Sequence, residues 1–407
     1  MADISVEFAG LKFKNPVFAS SGPISDSPEN VEKCCIGGAG AVVAKTVTCL
    51  QPLRVYPRPT DFSLNKFGPG MDRTALGAAK LVADESPEEF AREVLPGMLE
   101  VCDKHGVVLI VSILGDGQDI DSWVSMAQLM EQNGAPALEI NFSCPHSSAV
   151  VPNTGATLGM NPEAASRVAA AVRKSVKIPI FSKMTSRNED VDLVAAACAA
   201  SGVDGISVFN NQVGLWIDVE NQTYLGTPVL TWGWGGRFML PIALLKAAKI
   251  HRNPDVNVPV YGGTGIWTAE DALQFIMLGN QAVQLCIAVM TQGYGLFGKI
   301  ADGIEQYLDR KGIPDLAGIR GKVLPELIFN RDVPNVALGE LTISIDEDKC
   351  NGCKRCESCM WGVVKVSDGK AKVESIDKCQ GCGWCMSFCN QKAMRLVNRN
   401  GETQMCF

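Results

Sequence analysis

The sequence has little of what marks an exported, membrane-spanning or nucleic-acid-binding chain. Its start, MADISVEFAG, shows neither a basic stretch nor an apolar run of signal-peptide type, so no export is expected. No segment supplies the roughly 18 uninterrupted apolar residues that a membrane helix needs. No membrane span is therefore expected, and the cytoplasm is the expected location. The net charge is −7, which argues against nucleic-acid binding by charge. Histidine is scarce, with three in 407 residues. His105 and His251 lie in helix-end contexts and carry no chemical signal. No G-x-G-x-x-G opens the first helix with an acidic residue about 20 positions later, so a dinucleotide-binding Rossmann unit lacks support. What remains is ordinary globular composition, 46% hydrophobic and 20% charged, with length for two or three domains.

Cysteine is abundant, and its distribution is uneven. Of 16 cysteines, seven lie in the first 349 residues and nine in the last 58. In a chain without an export signal, such crowding points to metal ligation rather than disulfides.

The first 312 residues alternate short apolar runs with helical patterns. The runs occupy 15–21, 41–47, 107–114, 137–143, 178–184, 205–211, 258–264 and 282–289. Each is nearly continuous in apolar residues, as parallel strands buried on both faces are. Amphipathic stretches at 86–106, 161–176 and 268–279 lie between them. Ser86, Asn161 and Thr268 are candidate N-caps, and Gly106 and Gly279 candidate stops. Eight strands alternating with helices predict an α/β TIM barrel over 1–312, with ISVEFAGLKFKN as a small hairpin ahead of strand one. Residues 313–345 contain three prolines and weak periodicity and read as a linker. Residues 346–407 form a cysteine-rich module with ten basic and eight acidic residues, +2, which leaves −9 for the rest of the chain.

The module carries two cysteine runs, Cys350-x2-Cys353-x2-Cys356-x2-Cys359 and Cys379-x2-Cys382-x2-Cys385-x3-Cys389. Two-cluster ferredoxins draw three ligands from one run and the fourth from the other. On that pattern one 4Fe-4S cluster takes Cys350, Cys353, Cys356 and Cys389. The other takes Cys379, Cys382, Cys385 and Cys359. A small α+β ferredoxin-like domain is expected around them. The competing reading is a pair of zinc sites, but zinc modules favour paired knuckles with a longer spacer over quartets. The first run ends with x2 rather than x3, and no proline follows either fourth cysteine. Cys406 reads as a bystander.

At the ends of the apolar runs stand ASSG (19–22), AKT (44–46), NFSCPH (141–146), SKM (182–184), NNQ (210–212) and GGTGI (262–266). Together these resemble the dihydroorotate dehydrogenase family. With the cysteine-rich tail, the likeness leans to the family's iron–sulfur dihydropyrimidine dehydrogenases and covers nearly the whole chain. The resemblance implies an FMN-binding barrel. Ala19, Ser20 and Ser21 would run along the flavin ring, with Thr46 beside them, and Gly236 would let the backbone approach the cofactor. Cys144 would be the general acid/base, for which a thiol with an ordinary pKa near 8.5 is suited. Asn141 and Asn210 would contact flavin and substrate, with Ser143 and Asn211 beside them, and Asn65 would reach the substrate from the loop after strand two. Asn211 stands where dihydropyrimidine dehydrogenases have threonine.

The residues carry part of this on their own. Lys45 and Lys183 end otherwise apolar runs, and a buried lysine needs an anionic partner. That partner is either a flavin, whose reduced ring is negative near N1 and C2=O, or a structural carboxylate. Gly262, Gly263 and Gly265, ahead of a helix starting at 268, would cradle a phosphate through backbone N–H groups. Cys286 and Ile287, late in strand eight, would complete that site. The bland alternative is an ordinary turn. Asparagine amides both donate and accept, which suits a substrate with adjacent C=O and N–H groups. The alternative for Cys144 is an inert loop cysteine, and His146 either tunes that thiol or is a solvent-facing loop residue. Trp216, Tyr224, Trp232 and Trp234 either wall a flat substrate or pack the barrel rim or a subunit contact.

These signs predict an FMN oxidoreductase acting on an activated C=C bond of a small dihydropyrimidine-like molecule, as a homo-oligomer or within a hetero-complex. Its electrons would come from a ferredoxin or a separate FAD/NAD(P)H subunit. Two alternatives remain: a reductase of another unsaturated carbonyl or aromatic compound, and an electron-transfer subunit with no substrate of its own.

Overall fold

Strands buried on both faces have no room for alternating polarity, and the eight apolar runs pair accordingly. In a computed structural model they form β1 (Val17–Ala19), β2 (Ala41–Val43), β3 (Val108–Ile113) and β4 (Leu138–Asn141), followed by β5 (Ile180–Lys183), β6 (Gly205–Val208), β7 (Val260–Gly262) and β8 (Val283–Leu285). All are parallel, in the order β7-β6-β5-β4-β3-β2-β1-β8. The two ends meet. The Gln281 N–H donates to the Val260 carbonyl at 2.8 Å, and the Gly262 N–H to the Ala282 carbonyl at 2.9 Å. The sheet is therefore closed, as a TIM barrel requires. The structure describes residues 1–55, 59–63, 74–78, 80, 82–145, 150–224, 232–328, 341–398 and 403–405. Among them no helix is long and apolar enough to cross a membrane.

A helix of nine or more residues follows each strand: α1 (Pro28–Ile36), α2 (Leu95–Lys104), α3 (Ile120–Gln132), α4 (Pro162–Ser175), α5 (Val191–Ala200), α6 (Leu240–Arg252), α7 (Ala269–Leu278) and α8 (Leu296–Lys311). The expected starts are in place. Asn161 Oδ1 accepts the Ala164 N–H at 3.0 Å, and Thr268 Oγ1 accepts the Asp271 N–H at 3.3 Å. Ser86 and Glu89 cap each other reciprocally at 3.3 and 2.9 Å. The stretch 86–106 is not one regular helix, however. A π-helical turn at Phe90–Val94 precedes α2. Its cause is Pro96, which has no N–H to give the carbonyl four residues back.

The leading hairpin, Val6–Phe8 against Leu11–Phe13, packs its aromatic face into the barrel. Phe8 and Phe13 lie 4.8 Å apart, Phe13 and Phe18 4.7 Å, and Phe181 and Tyr261 5.2 Å. Phe18, Phe181 and Tyr261 come from β1, β5 and β7, so alternate strands fill one layer, as barrel interiors do. Glu139, Ser207 and Gln284, from β4, β6 and β8, are polar where such layers are ordinarily apolar, and all three are buried. A feature absent from the sequence expectations is a four-stranded antiparallel sheet of Gln212–Gly214, Trp232–Gly235, Leu76–Ala78 and Asp61–Ser63. The long excursions after β2 and β6 pair with each other.

The chain divides into Met1–Leu327 and Ile328–Phe407. Leu316 and Ile319, from the segment read as linker, belong to the barrel's core. Leu341–Ile345, from the same segment, pairs antiparallel with Met394–Asn398 in the second unit. That unit also holds the hairpin Val364–Ser367/Lys370–Val373. Its buried core comprises nine residues among those described, and two of them are Cys356 and Cys385. So small a core needs a further cross-link to be stable.

Truncating the aromatic plug should loosen the barrel without touching its mouth. Phe13→Ala should lower stability by about 3–5 kcal/mol. A thermal melt within a degree or two of the parent would refute the plug's role.

Candidate active site

The strands end at one mouth, and the side chains just beyond them converge. A cleft enclosing about 1010 Å³, adjoining solvent included, opens there. From β1 and β2 it receives Ser20, Ser21 and Lys45 with Thr46, and from β4 and β5 Asn141, Cys144 and Lys183. From β6 onward it receives Asn210, Asn211, Gly236, Gly263, Gly265, Cys286 and Ile287. Three residues singled out from the sequence, Ala19, Ser143 and Gly262, stand behind this wall. Asn65 and His146 lie outside the described residues, as does Cys406.

The polar groups form one connected belt. Thr46 Oγ1 lies 3.1 Å from Ser21 Oγ and 2.9 Å from Ser112 Oγ, and it accepts from Asn141 Nδ2 at 2.9 Å. Asn141 Oδ1 accepts the Ser143 N–H at 2.9 Å and its hydroxyl at 2.7 Å. Ser143 Oγ in turn accepts from Asn210 Nδ2 at 3.2 Å. Ser143 thus fixes both asparagines from behind.

The two lysines are held differently. Lys183 Nζ donates to Ser20 Oγ at 3.3 Å and pairs with Glu139 Oε1 at 3.2 Å. The structural-carboxylate reading therefore holds for Lys183, which still lines the cleft. Lys45 Nζ donates to the Lys80 carbonyl at 3.1 Å, and among the described residues no carboxylate lies within ion-pair distance of it. Burial draws the Lys45 ammonium below its usual value, and Cys286 and Cys144 oppose that shift. Burial also pushes the Cys286 thiol up to about 11, against the pull of Lys45 and Lys183. Cys144 is 4% exposed, and its carbonyl accepts the Ala156 N–H at 3.0 Å.

The glycine loop is shaped for close approach. Gly262 has φ +102°, and a Cβ there would strike the Val208 carbonyl. Gly265 has φ +84°, and a Cβ would strike the Leu240 backbone. One expectation changes here. The start of α7 is not open to an anion, because Asp271 Oδ2 already accepts the Trp267 and Thr268 N–H groups at 2.9 and 3.0 Å. The N–H groups of Thr264, Gly265 and Ile266 meet no acceptor among the described residues. The cradle is therefore the loop backbone, with Cys286 and Ile287 opposite it. The aromatics do not wall the cleft. Trp232 and Trp234 are buried in the loop sheet, Trp216 packs 6.3 Å from Trp234, and Tyr224 faces outward.

Glu139 and Gln284 escaped the sequence reading. Each sits inside an apolar run, and a charged residue so placed needs a buried partner. That rule, applied to ALEINFS as it was to the lysines, would have flagged Glu139.

In the second unit the cysteines form two cages. Cys350, Cys353, Cys356 and Cys389 line one hollow. Cys359, Cys379, Cys382 and Cys385 line another. The Ala371 N–H donates to Cys350 Sγ at 3.2 Å, and the Ala393 N–H to Cys389 Sγ at 3.3 Å. Among the described residues no three such side chains converge tightly enough for a single metal ion. The grouping is the crossed one, three cysteines from one run and the fourth from the other.

Comparison with known proteins agrees with this geometry. The chain is 29% identical over 388 residues to the NAD-dependent dihydropyrimidine dehydrogenase subunit PreA of Escherichia coli K12, covering 92% of this chain and 89% of that protein. It is 31% identical over 313 residues to the dihydroorotate dehydrogenase B (NAD(+)) catalytic subunit of Methanocaldococcus jannaschii, covering 76% of this chain and 95% of that one. The family profile described as dihydroorotate dehydrogenase matches residues 3–308. Three quarters of the sequence, all eight strands and the residues gathered at their ends thus lead to one conclusion: the chain belongs to the dihydroorotate dehydrogenase family.

Proposed function

We propose that this oxidoreductase binds FMN in the barrel cleft and two 4Fe-4S clusters in its C-terminal unit, and reduces or forms an activated C=C bond in a dihydropyrimidine or similar cyclic amide. The observation that carries this reading is the convergence of Cys144, Asn141, Asn210, Lys45 and Lys183 on one cleft beside a glycine cradle. The residues present fit the cofactor. Unused backbone N–H groups at Thr264–Ile266 suit a phosphate, and the uncompensated Lys45 suits an anionic ring. FMN, when bound, supplies hydride transfer and can exchange electrons singly.

The chain's own groups do the rest. Asn141 and Asn210, braced by Ser143, present amides that pair with adjacent C=O and N–H groups of a cyclic amide. The buried belt excludes water and holds those amides in one orientation. Cys144 Sγ gives or takes the proton at the carbon next to the one exchanging hydride. The eight cage cysteines hold the clusters, and backbone N–H donors to Cys350 and Cys389 tune them. The relatives are named as subunits, and this sequence shows no dinucleotide fingerprint. We therefore infer a protein partner, a ferredoxin or a flavin/NAD(P)H subunit, as the electron source or sink. Asn211 lines the cleft where dihydropyrimidine dehydrogenases carry threonine. This favours, as the second reading, a reductase of a different unsaturated carbonyl or aromatic compound. A pure electron-transfer role would leave Cys144 and the asparagines without a purpose.

Anaerobically purified protein should carry about eight irons and one FMN per chain. Metal analysis giving zinc with little iron would overturn the cluster assignment. Reduction by NADH alone should be slow, and rapid bleaching without an added protein would remove the need for a partner. Cys144→Ala should keep flavin and iron but lose roughly 10²–10⁴-fold in turnover, with loss of one limb of the wild-type pH profile. Wild-type turnover in that variant would put the acid/base role elsewhere.

A further inference from the structure

The cleft rests on a buried carboxylate that no part of the reaction above uses. Glu139, on β4, is fully buried. Its Oε1 accepts from Ser112 Oγ at 3.3 Å and pairs with Lys183 Nζ at 3.2 Å, and its Oε2 accepts from Ser207 Oγ at 2.9 Å. Ser207 also reaches Gln284 Oε1 at 3.5 Å, and Gln284 lines the cleft with its Nε2 unpaired. Glu139 is therefore joined to the cleft floor twice, through Lys183 and through Ser207–Gln284, while it does not line the cleft itself.

We propose that Glu139 is a positioning residue. It anchors the Lys183 ammonium against Ser20 at the cleft wall and offsets part of its charge, and so sets the electrostatic field a flavin would meet there. The proposal rests on the FMN reading above. A lone buried carboxylate or ammonium is far costlier than the pair, whereas replacing both by neutral groups is often tolerated. The pair therefore acts as a unit. Besides Lys183, the titratable groups around Glu139 and the cleft floor are Tyr261 from β7, Cys286 beyond β8, Lys45 beyond β2 and Cys144 beyond β4. Tyr261 is held neutral by burial and by Glu139 itself.

The test compares wild type, Glu139→Gln, Lys183→Met and the double variant as holoenzymes, measuring flavin content and flavin midpoint potential across pH. With its counter-charge gone, the Lys183 ammonium of Glu139→Gln faces the cleft uncompensated. The Glu139→Gln potential should therefore lie above the wild-type value, and the double variant should lack that rise. A Glu139→Gln potential equal to wild type, or a rise that survives in the double variant, overturns the proposal. If Glu139→Gln does not fold, the other two variants decide. Lys183→Met leaves a lone negative charge under the cleft, so the double variant should bind FMN more tightly and have the higher potential. Equal values overturn the proposal. A wild type that takes up no FMN overturns the functional reading and this proposal together. A flavin-loaded wild type with either negative result overturns this proposal alone.

Discussion

Two opposite charges at 3.2 Å, Lys183 and Glu139, sit where a barrel interior ordinarily places branched apolar side chains. Such a pair is stable only if its remaining lone pairs and protons are satisfied. Ser112 and Ser207 donate to the carboxylate and Ser20 accepts from the ammonium, so strands β3, β4, β5 and β6 and the end of β1 are tied to one point. The belt through Thr46, Asn141, Ser143 and Asn210 begins at the same Ser112. Moving any member would strand a polar group in a low-dielectric interior, where the cost exceeds the net gain of an ordinary hydrogen bond. The rigidity of the cleft is thus a consequence of where its charges are buried.

The second unit solves a different problem. Its hydrophobic core is small, and two of its buried members are Cys356 and Cys385. A module of this size would gain stability from any group that bridges its cysteines. Glycines with positive φ at 352, 381 and 383 turn the chain tightly between the cysteines. The crossed pattern, three cysteines from one run and one from the other, ties the first quartet to the second. Either cage is complete only when both runs are in place, so the unit must order as a whole.

Much of this was legible in the sequence, for physical reasons. Parallel strands covered on both faces must be apolar throughout, so all eight could be read. Lys45 and Lys183 could be read from their place at the ends of apolar strands, whereas Ser20, Cys144 and Asn210 were singled out by the family resemblance; all five line the cleft. The crossed grouping of the cysteines came from the two-cluster ferredoxin pattern. Illegible features depended on pairings that sequence spacing does not encode. The sheet joining the excursions after β2 and β6 is a meeting of segments about 150 residues apart. It took Trp232 and Trp234 out of the cleft and into packing. The capping Asp271 used up the start of α7 locally, although Thr268 and the glycines before it advertised an anion site. The strand Leu341–Ile345 was hidden among prolines, and its partner lies beyond both cysteine runs.

The contrast between the two lysines gives the cleft its chemical bias. Lys183 brings its own carboxylate, so the pair adds a dipole rather than a net charge to the floor. Lys45 has only a backbone carbonyl, and burial works against its ammonium form. Cys286, pushed up to about 11 by burial, stays neutral at pH 7, and Asp61 acts on Lys45 only from beyond ion-pair distance. No carboxylate among the described residues pairs directly with Lys45, so an anionic ligand in the cleft would favour its ammonium form. The proposed FMN ring becomes anionic on reduction, and beside it Lys45 would stabilise the reduced form over the oxidised one. That is the condition for an interaction to change a redox equilibrium rather than merely to hold a cofactor.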